Sequence, residues 1–443
     1  MINSREILAQ RLTDALTMPM PSLTRRDVRL PAVRGKAVAV IGVRRAGKTS
    51  FLWQCLGDRL AAGRPRETLV LLGLEDDRLT GIDAADLDWL VEEYYRRYPA
   101  YRGSGGMPVT FCLDEIQTAQ GWEQFARRLM DTEQIDLLLS GSSAKLLSRE
   151  VATSLRGRAI ETLIHPFGFR EALRHADAEP NIPWERFDSA ERSALDGAVR
   201  TYLEVGGFPE VQDIPVRDRA QLLRGYVDVV VLRDVIERHA VTNPVALRWL
   251  QRQLLGTPAG AFSVQKLYNA MRSQGIAVGK DTLHEYLAHL EDAFLIRTVW
   301  MHSASERQRM VNPRKVYPID PALIAVYERT GRAHTGHALE TVVLLELERR
   351  GYECAYVRTS ENWEVDFFAT APGARPLLVQ VCADTSNPET LARETRALAS
   401  ARMEYPNAGA LLITLDSQPP RVALPPGVTW MPASRWLLEP GDH

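Results

Sequence analysis

The chain has 443 residues, enough for about three domains at roughly 150 residues each. Its hydrophobic content of 45% and charged content of 25% are those of an ordinary globular protein, and a formal net charge of −2 gives no overall sign of a polyanion-binding protein. The cysteines Cys55, Cys112, Cys354 and Cys382 are scattered and form no C-x-x-C zinc pattern or disulfide framework. No apolar run approaches the ~18 residues of a membrane-spanning helix, so we expect a cytoplasmic chain without membrane contact.

Three arginines precede the first predicted strand of the sheet, in a segment that ends at Pro31. Arg25, Arg26 and Arg29 are placed to line the adenine or ribose side of a nucleotide bound at the next segment. An exposed strap is an equally good interpretation of these residues.

A strand, a glycine-bounded loop and the start of a helix follow one another over Val38–Ser50. The loop fits G-x-x-x-x-G-K-[ST], the Walker A pattern, in which backbone N–H groups and a helix N-terminus face a polyphosphate. We expect Lys48 to reach the β- and γ-phosphates and Thr49 to bind Mg²⁺, so the predicted cofactors are ATP and Mg²⁺. The predicted nucleotide-binding residues are Gly42, Arg44, Arg45, Ala46, Gly47, Lys48, Thr49 and Ser50, with Asp114 and Ser142 from later segments.

A second motif lies at Val109–Glu115, where an apolar strand ends in two acidic residues. This is the Walker B pattern. We expect Asp114 to hold Mg²⁺ and Glu115, together with Lys48, to be catalytic, with Glu115 polarising the water that attacks the γ-phosphate. The alternative is a buried strand that ends in a solvated acidic turn.

The next predicted strand and turn, 135–143, carry polar residues at the strand end. This position is similar to the γ-phosphate sensor of AAA-type ATPases, for which Ser140 and Ser142 are the candidates. Capping of the following helix by Ser142 or Ser143 is an equal alternative.

Arginines follow in the window where AAA-type rings carry an arginine finger, which stabilises transition-state charge in a neighbouring subunit. Arg149, Arg156 and Arg158 lie in this window, and we favour Arg156 or Arg158 as a catalytic residue. The alternative is an exposed surface arginine. A finger would require a homo-oligomer, such as a hexamer.

Residues 173–190 are acidic, contain prolines and are predicted to be a linker, and 190–255 have a helical pattern. Two short helices with a glycine turn and then a strand pair, within 261–299, indicate a winged helix-turn-helix. Lys280, Thr282 and His284 would lie near the start of the recognition helix, which makes DNA a candidate partner. Further positive charge follows at Arg307, Arg309, Arg314 and Lys315. Because the second helix also carries Asp281 and Glu285, a lid or protein-contact domain is the alternative.

The C-terminal part has the predicted order α-β-β-β-α-β, which is the layout of PD-(D/E)xK nucleases. In that layout a helix Glu, a strand Asp and a Glu-x-Lys bind metal and activate water. Glu340 and Asp366 remain as possible metal ligands of a degenerate site. At Gln380–Cys382 the second carboxylate is replaced by Gln and the lysine by Cys. An inactive fold that packs, or still holds DNA, is therefore favoured over a nuclease.

The whole chain resembles a family of bacterial and archaeal P-loop ATPases, within the wider AAA-like group that includes archaeal STAND-type ATPases. The resemblance rests on Gly42–Ser50, Leu113–Gln117, Ser140–Leu147 with Leu155–Arg158, Tyr202–Glu210, Phe262–Leu295, Asn312–Asp320, and Glu364–Phe367 with Gln380–Cys382. It implies an α/β fold in which an AAA-type domain is followed by a helical region, a winged helix and a restriction-endonuclease-like domain. The expected domains are 1–172 (P-loop AAA-type ATPase), 173–255 (linker and helical lid), 256–315 (winged helix-turn-helix) and 316–443 (nuclease-like).

Three functions fit these observations. The first is a ring-forming ATPase that acts on DNA, including branched or recombination and repair intermediates. The second is a STAND-type signalling or defence switch with protein partners. The third is an ATP-coupled, metal-dependent nuclease, against which Gln380 and Cys382 argue.

Overall fold

The structure is a computed structural model, and it groups the chain in two compact units, Met1–Ile164 and His165–His443. Within the ranges that it describes, no helix is long and apolar enough to cross a membrane. The described residues are 4–31, 33, 35–103, 107–141, 157–303, 305, 307–308, 313–328 and 335–439.

The first unit contains a five-stranded, fully parallel sheet with the strand order β2-β3-β4-β1-β5. Its elements are α1 (Ser4–Thr17), β1 (Ala37–Ile41), α2 (Lys48–Ala61), β2 (Leu69–Gly73), α3 (Ala84–Arg97), β3 (Val109–Asp114), α4 (Trp122–Thr132), β4 (Ile135–Ser140) and β5 (Ala159–Leu163). The central strands are nearly continuous apolar runs, as strands covered on both faces require. Because the strands are parallel, the ends of β1, β3 and β4 meet at one edge, where a ligand site is expected.

The second unit contains helices and one eight-stranded sheet. Its N-terminal elements are α5 (Phe169–His175), α6 (Ser189–Val205), α7 (Val216–Val229), a π-helical segment (Val230–Glu237), α8 (Pro244–Gly256), β6 (Ala261–Phe262), α9 (Val264–Ser273), α10 (Lys280–Asp292), β7 (Ile296–Met301) and β8 (Arg314–Pro318). Its remaining elements are α11 (Ala322–Tyr327), α12 (Thr335–Arg349), β9 (Glu353–Arg358), β10 (Glu364–Thr370), β11 (Leu377–Cys382), α13 (Pro388–Glu404), β12 (Gly409–Thr414), β13 (Val428–Pro432) and α14 (Ala433–Leu438).

The sheet of the second unit runs β13-β12-β11-β10-β9-β7-β8-β6. Strand β7 pairs with β9 in parallel at Trp300 and Met301, so the strand pair after α10 and the C-terminal strands share one sheet. One apolar cluster also joins α6, β7, β8 and α12, through residues such as Val199, Val299 and Tyr317. The finer division of this unit at 255/256 and 315/316 stays a prediction.

The element order predicted for the C-terminal part is observed, from α12 through β9, β10, β11 and α13 to β12. The two helices that were interpreted as part of a winged helix are present as α9 and α10. Of the strand pair predicted within 261–299, only β7 begins there, and it pairs with β8 at 314–318. The winged helix itself stays a prediction. Within the predicted helical stretch 190–255, α7 ends at Val229 and the chain continues as a π-helix over Val230–Glu237. π-Helical turns are wider than α-helical turns and are rare in proteins, and those that do occur are often at functional sites.

Candidate functional site

The loop after β1 can be built only with glycine at its first position. Gly42 has φ +146°, and a Cβ there would overlap the carbonyl oxygen of Ile164. Ile164 also donates its N–H to the Ile41 carbonyl at 2.8 Å, which holds the end of β5 against the end of β1. Any larger residue would have to separate these two strand ends.

The rest of the loop turns tightly into helix α2. Arg45 and Gly47 have φ +67° and +93°, and Ala46 donates its N–H to the Val43 carbonyl at 3.3 Å. Helix α2 begins at Lys48. Because the first N–H groups of a helix have no partner within it and carry partial positive charge, this arrangement suits a phosphate group.

Lys48 is buried and lies folded against its own loop. Its Nζ donates to the carbonyl oxygens of Gly42 at 3.0 Å and Val43 at 3.1 Å. The ammonium is therefore held beside the helix N-terminus, where it adds a full positive charge to the partial charge of the backbone.

Asp114 connects the three segments of the site. Thr49 Oγ1 donates to its Oδ2 at 2.6 Å, and Ser140 Oγ donates to its Oδ1. The Ser140 oxygen in turn accepts the Glu115 N–H at 3.3 Å. A hydroxyl and a carboxylate in contact are hard oxygen ligands of the kind that hold Mg²⁺ together with nucleotide phosphates, so Thr49 and Asp114 fit this ion.

Glu115 is held in an unusual backbone conformation, with φ +55°. Burial raises the pKa of its carboxyl group, against the lowering effects of the Lys48 ammonium and of a hydrogen bond from Gln117 Nε2. A carboxylate with a raised pKa at the end of this strand is suited to accept a proton from water. Gln117 is a contact that the sequence interpretation did not include.

Arg26 is placed differently from what the sequence suggested. It is 4% exposed, and its Nη1 donates to the Ala46 carbonyl in the middle of the loop at 2.8 Å. The Arg26 backbone also makes two hydrogen bonds with the Gln54 side chain of α2. The Arg26 N–H donates to Gln54 Oε1 at 2.7 Å, and Gln54 Nε2 donates to the Arg26 carbonyl at 3.0 Å. Arg26 therefore positions the loop from behind, whereas Arg25 makes an exposed pair with Asp58.

The structure places the other predicted site residues as follows. Arg44 lies 3.8 Å from Glu75, and Arg158 forms an ion pair with Asp131 of α4. Arg158 lies beside the start of β1, because its carbonyl accepts the Ala37 N–H, so it is at the sheet edge opposite the loop. Ser142, Arg149 and Arg156 lie outside the described residues.

The predicted metal ligands of the second unit contact other groups. Asp366 accepts hydrogen bonds from Lys315 Nζ at 3.3 Å, Gln380 Nε2 at 2.8 Å and the Val381 N–H at 3.0 Å. Glu340 accepts one from Tyr317 OH at 3.3 Å. Across the described ranges there is no group of three or more His, Cys, Asp or Glu placed to hold a metal ion. The structure therefore gives no support to a metal at Glu340 and Asp366.

Of the positive charges predicted to follow the strand pair, Lys315 is buried and Arg314 half-buried, and Arg309 lies outside the described residues. The Lys315 side chain is 4% exposed and lies 2.8 Å from Glu364 Oε1. Arg314 is half-buried, with its guanidinium 3.5 Å from the centre of the Trp300 ring. The strand pairing that brings these groups together is between distant segments, so the local pattern could not show it.

Comparisons with known proteins agree with the site in the first unit. Residues 34–173 match a family model described as an AAA domain, and residues 196–332 match a domain of unknown function. An uncharacterised protein of Haemophilus influenzae is 30% identical over 333 residues, which is 74% of this chain and 78% of that protein. An uncharacterised protein of Methanocaldococcus jannaschii is 29% identical over 425 residues, which is 94% and 91% of the two chains.

Two solved structures have weaker similarity. A Walker-type ATPase of Pyrococcus abyssi is 14% identical, with a TM-score of 0.42 and coverage of 73% of this chain and 95% of that chain. The Aeropyrum pernix Orc1 protein, solved in complex with DNA, is 15% identical, with a TM-score of 0.30 and coverage of 73% and 91%. Similarity at this level carries no argument about function.

The contact between Arg26 and Ala46 can be tested by substitution. We expect Arg26→Met to lower the free energy of unfolding by about 2 kcal/mol, because it removes a buried, charged donor from a carbonyl. The matched control is Arg25→Met, which removes an exposed ion pair and should cost about 0–1 kcal/mol. Urea unfolding of both variants measures the difference, and equal losses would contradict the assigned role of Arg26.

Proposed function

We propose that the first unit binds and hydrolyses ATP, from the premise that residues 34–173 match a family model described as an AAA domain and that the chain belongs to one family with its uncharacterised Haemophilus influenzae relative. The observation that carries the proposal is the hydrogen bond from Thr49 to Asp114, next to Glu115. It brings the end of the Walker B strand to the first turn of the Walker A helix.

Each residue has a distinct role in this proposal. Lys48 leaves the carbonyls of its own loop and donates to the β- and γ-phosphates. Thr49 and Asp114 would hold Mg²⁺, which when bound neutralises phosphate charge. Glu115 accepts a proton from the attacking water, and Ser140, which contacts both Asp114 and the Glu115 N–H, holds the two acidic residues in place.

We further propose that the ATPase works as a homo-oligomer in which Arg156 or Arg158 acts at the site of a neighbouring subunit. In the single chain Arg158 is paired with Asp131, so this role would require it to exchange that carboxylate for a phosphate. A guanidinium can make this exchange because carboxylate and phosphate present similar bidentate acceptors.

We propose DNA as the partner on which the second unit acts. The support is an exposed cluster at the facing ends of α9 and α10, where the cations of Arg272 and Lys280 both lie over the Tyr268 ring, at 5.7 and 5.4 Å. Lys266 is exposed on the same helix as Arg272. Exposed lysines and arginines around an aromatic ring suit phosphate contacts, in a chain whose overall charge gives no general attraction to DNA.

The variant Glu115→Gln tests the hydrolysis proposal. We expect it to bind ATP with unchanged affinity and to hydrolyse it about 10²- to 10⁴-fold more slowly, because the general base is lost. The control is Glu123→Gln, which removes a carboxylate from α4 of the same unit and should leave the rate unchanged. Equal rates in wild type and Glu115→Gln would contradict the assignment.

The raised pKa of Glu115 also predicts a pH dependence. Glu115 acts as a base only when deprotonated, so the wild-type rate should fall as the pH falls through its raised pKa. The acid limb of the pH–rate profile should therefore lie above the ordinary Glu value of 4.5. This limb should be absent from the residual activity of Glu115→Gln, and its presence there would assign it to another group.

The DNA proposal is tested by ATP hydrolysis and DNA binding of the full chain. We expect duplex or four-way-junction DNA to raise the rate, and Lys280→Ala to lower the slope of log affinity against log salt by about 1. Arg217→Ala, which removes an exposed arginine of α7, is the control and should not change the slope. A rate that no DNA changes, with capture of a protein partner by Glu115→Gln, would favour the signalling switch instead.

A further inference from the structure

We propose that Lys315 is the resident cation of the acidic pocket in the second unit, and that its ammonium occupies this pocket in place of a divalent metal ion. The pocket is formed by Asp366 and Glu364 on β10 and by Glu340 on α12. This inference does not depend on the function proposed for the first unit.

The Lys315 ammonium lies beside two carboxyl groups of β10. Lys315 extends from β8 to β10, where its Nζ lies 2.8 Å from Glu364 Oε1 and 3.3 Å from Asp366 Oδ1. The Tyr356 ring lies 5.7 Å from the same nitrogen, and the lysine side chain is 4% exposed. A buried ammonium needs paired carboxylates of this kind to remain charged.

A metal ion bound by these carboxylates would lie close to the Lys315 ammonium. The Nζ is 2.8 Å from Glu364 Oε1 and 3.3 Å from Asp366 Oδ1, so the two cations would repel each other.

The Gln380 side chain is oriented with its amide nitrogen toward two acidic residues. Its Nε2 donates to Asp366 Oδ2 at 2.8 Å and to Glu394 Oε2 at 2.6 Å, while its Oε1 accepts the Asp366 N–H at 3.3 Å. Two carboxylates on one side fix the amide so that its donor faces them. Where a nuclease of this layout carries a second carboxylate, this chain presents an N–H group, which cannot bind a metal ion.

Asp366 accepts hydrogen bonds on both of its carboxylate oxygens. Its Oδ2 accepts both Gln380 Nε2 and the Val381 N–H, and its Oδ1 accepts Lys315. Both oxygens are thus already used by donors from β8 and β11. A metal ion would have to displace a tethered ammonium, and the residues present do not fit such an ion.

The pocket also explains how β8 is held in the sheet. Strands β7 and β9 lie between β8 and β10 in the strand order, and β7 pairs with β9 at only two positions. Lys315 adds an ion pair from β8 to the far side of this short junction. Its charge is therefore placed where the strand pair after α10 joins the C-terminal strands.

Mn²⁺ binding to the full chain, measured by electron paramagnetic resonance without nucleotide, tests the proposal. We expect wild type and Asp366→Asn to bind the same number of Mn²⁺ ions. We expect Lys315→Ala to bind one ion more, and Lys315→Ala/Asp366→Asn to lose that ion again. A wild-type Mn²⁺ site that disappears in Asp366→Asn would overturn the proposal, and so would a folded Lys315→Ala without the additional ion.

Thermal unfolding provides the second readout, because Lys315→Ala leaves buried carboxylates without their counter-ion and is expected to melt at a lower temperature. Mn²⁺ should raise the melting temperature of Lys315→Ala and leave the difference between wild type and Asp366→Asn unchanged. If Lys315→Ala does not fold, the comparison of wild type with Asp366→Asn decides alone: equal Mn²⁺ binding supports the proposal, and a loss overturns it.

Discussion

The candidate site depends on one buried carboxylate, Asp114, and the two hydroxyl groups that donate to it. Thr49 comes from the first turn of α2 and Ser140 from the end of β4, so one side chain fixes the relative positions of three segments. Donors and acceptors held in place by the protein's own hydrogen bonds reduce the reorganisation needed when a charged phosphate and its metal ion bind. The Lys48 ammonium, which already lies beside the loop carbonyls, has only to exchange acceptors.

The two units use buried carboxylates in different ways. In the first unit the partners of Asp114 are hydroxyl groups, which can turn and share their oxygen with a metal ion. In the second unit the partner of Asp366 is the tethered ammonium of Lys315, which is itself a cation. In the first arrangement a ligand can replace a hydroxyl group as the partner of the carboxylate, whereas in the second the Lys315 ammonium already neutralises the carboxylate charge. We therefore infer that the carboxylate of the first unit takes part in ligand binding, and that the acidic pocket of the second unit has a structural role.

The sequence predicted those parts of the structure that depend on local pattern. The loop Gly42–Ser50 was identified because its glycines, lysine and hydroxyl follow one another along the chain. Asp114 and Ser140 could be placed beside it because parallel strands end at a common edge. The helix and strand order of the C-terminal part followed from periodicity in the same way.

The contacts that the sequence did not reveal join residues far apart in the chain. Arg26 reaches the Ala46 carbonyl across 20 positions, and Lys315 reaches Asp366 across 51. Neither contact produces a pattern in the neighbouring sequence, because each depends on how the segment around Arg26 or the strand β8 packs against distant residues. The amide orientation of Gln380 is set by carboxylates on β10 and α13, so the sequence could show that a carboxylate was replaced but not what the replacement contacts.

Thr49 and Asp114 are proposed to hold the metal ion of a bound nucleotide. The most direct measurement is calorimetric ATP binding with Mg²⁺ and with EDTA, for wild type, Thr49→Val and the control Thr132→Val, which removes an exposed hydroxyl of α4. We expect Mg²⁺ to tighten ATP binding at least about tenfold, or 1.4 kcal/mol, in wild type and Thr132→Val. In Thr49→Val this gain should be lost while metal-free binding is kept. An equal Mg²⁺ effect in all three proteins would contradict a metal ion held by Thr49.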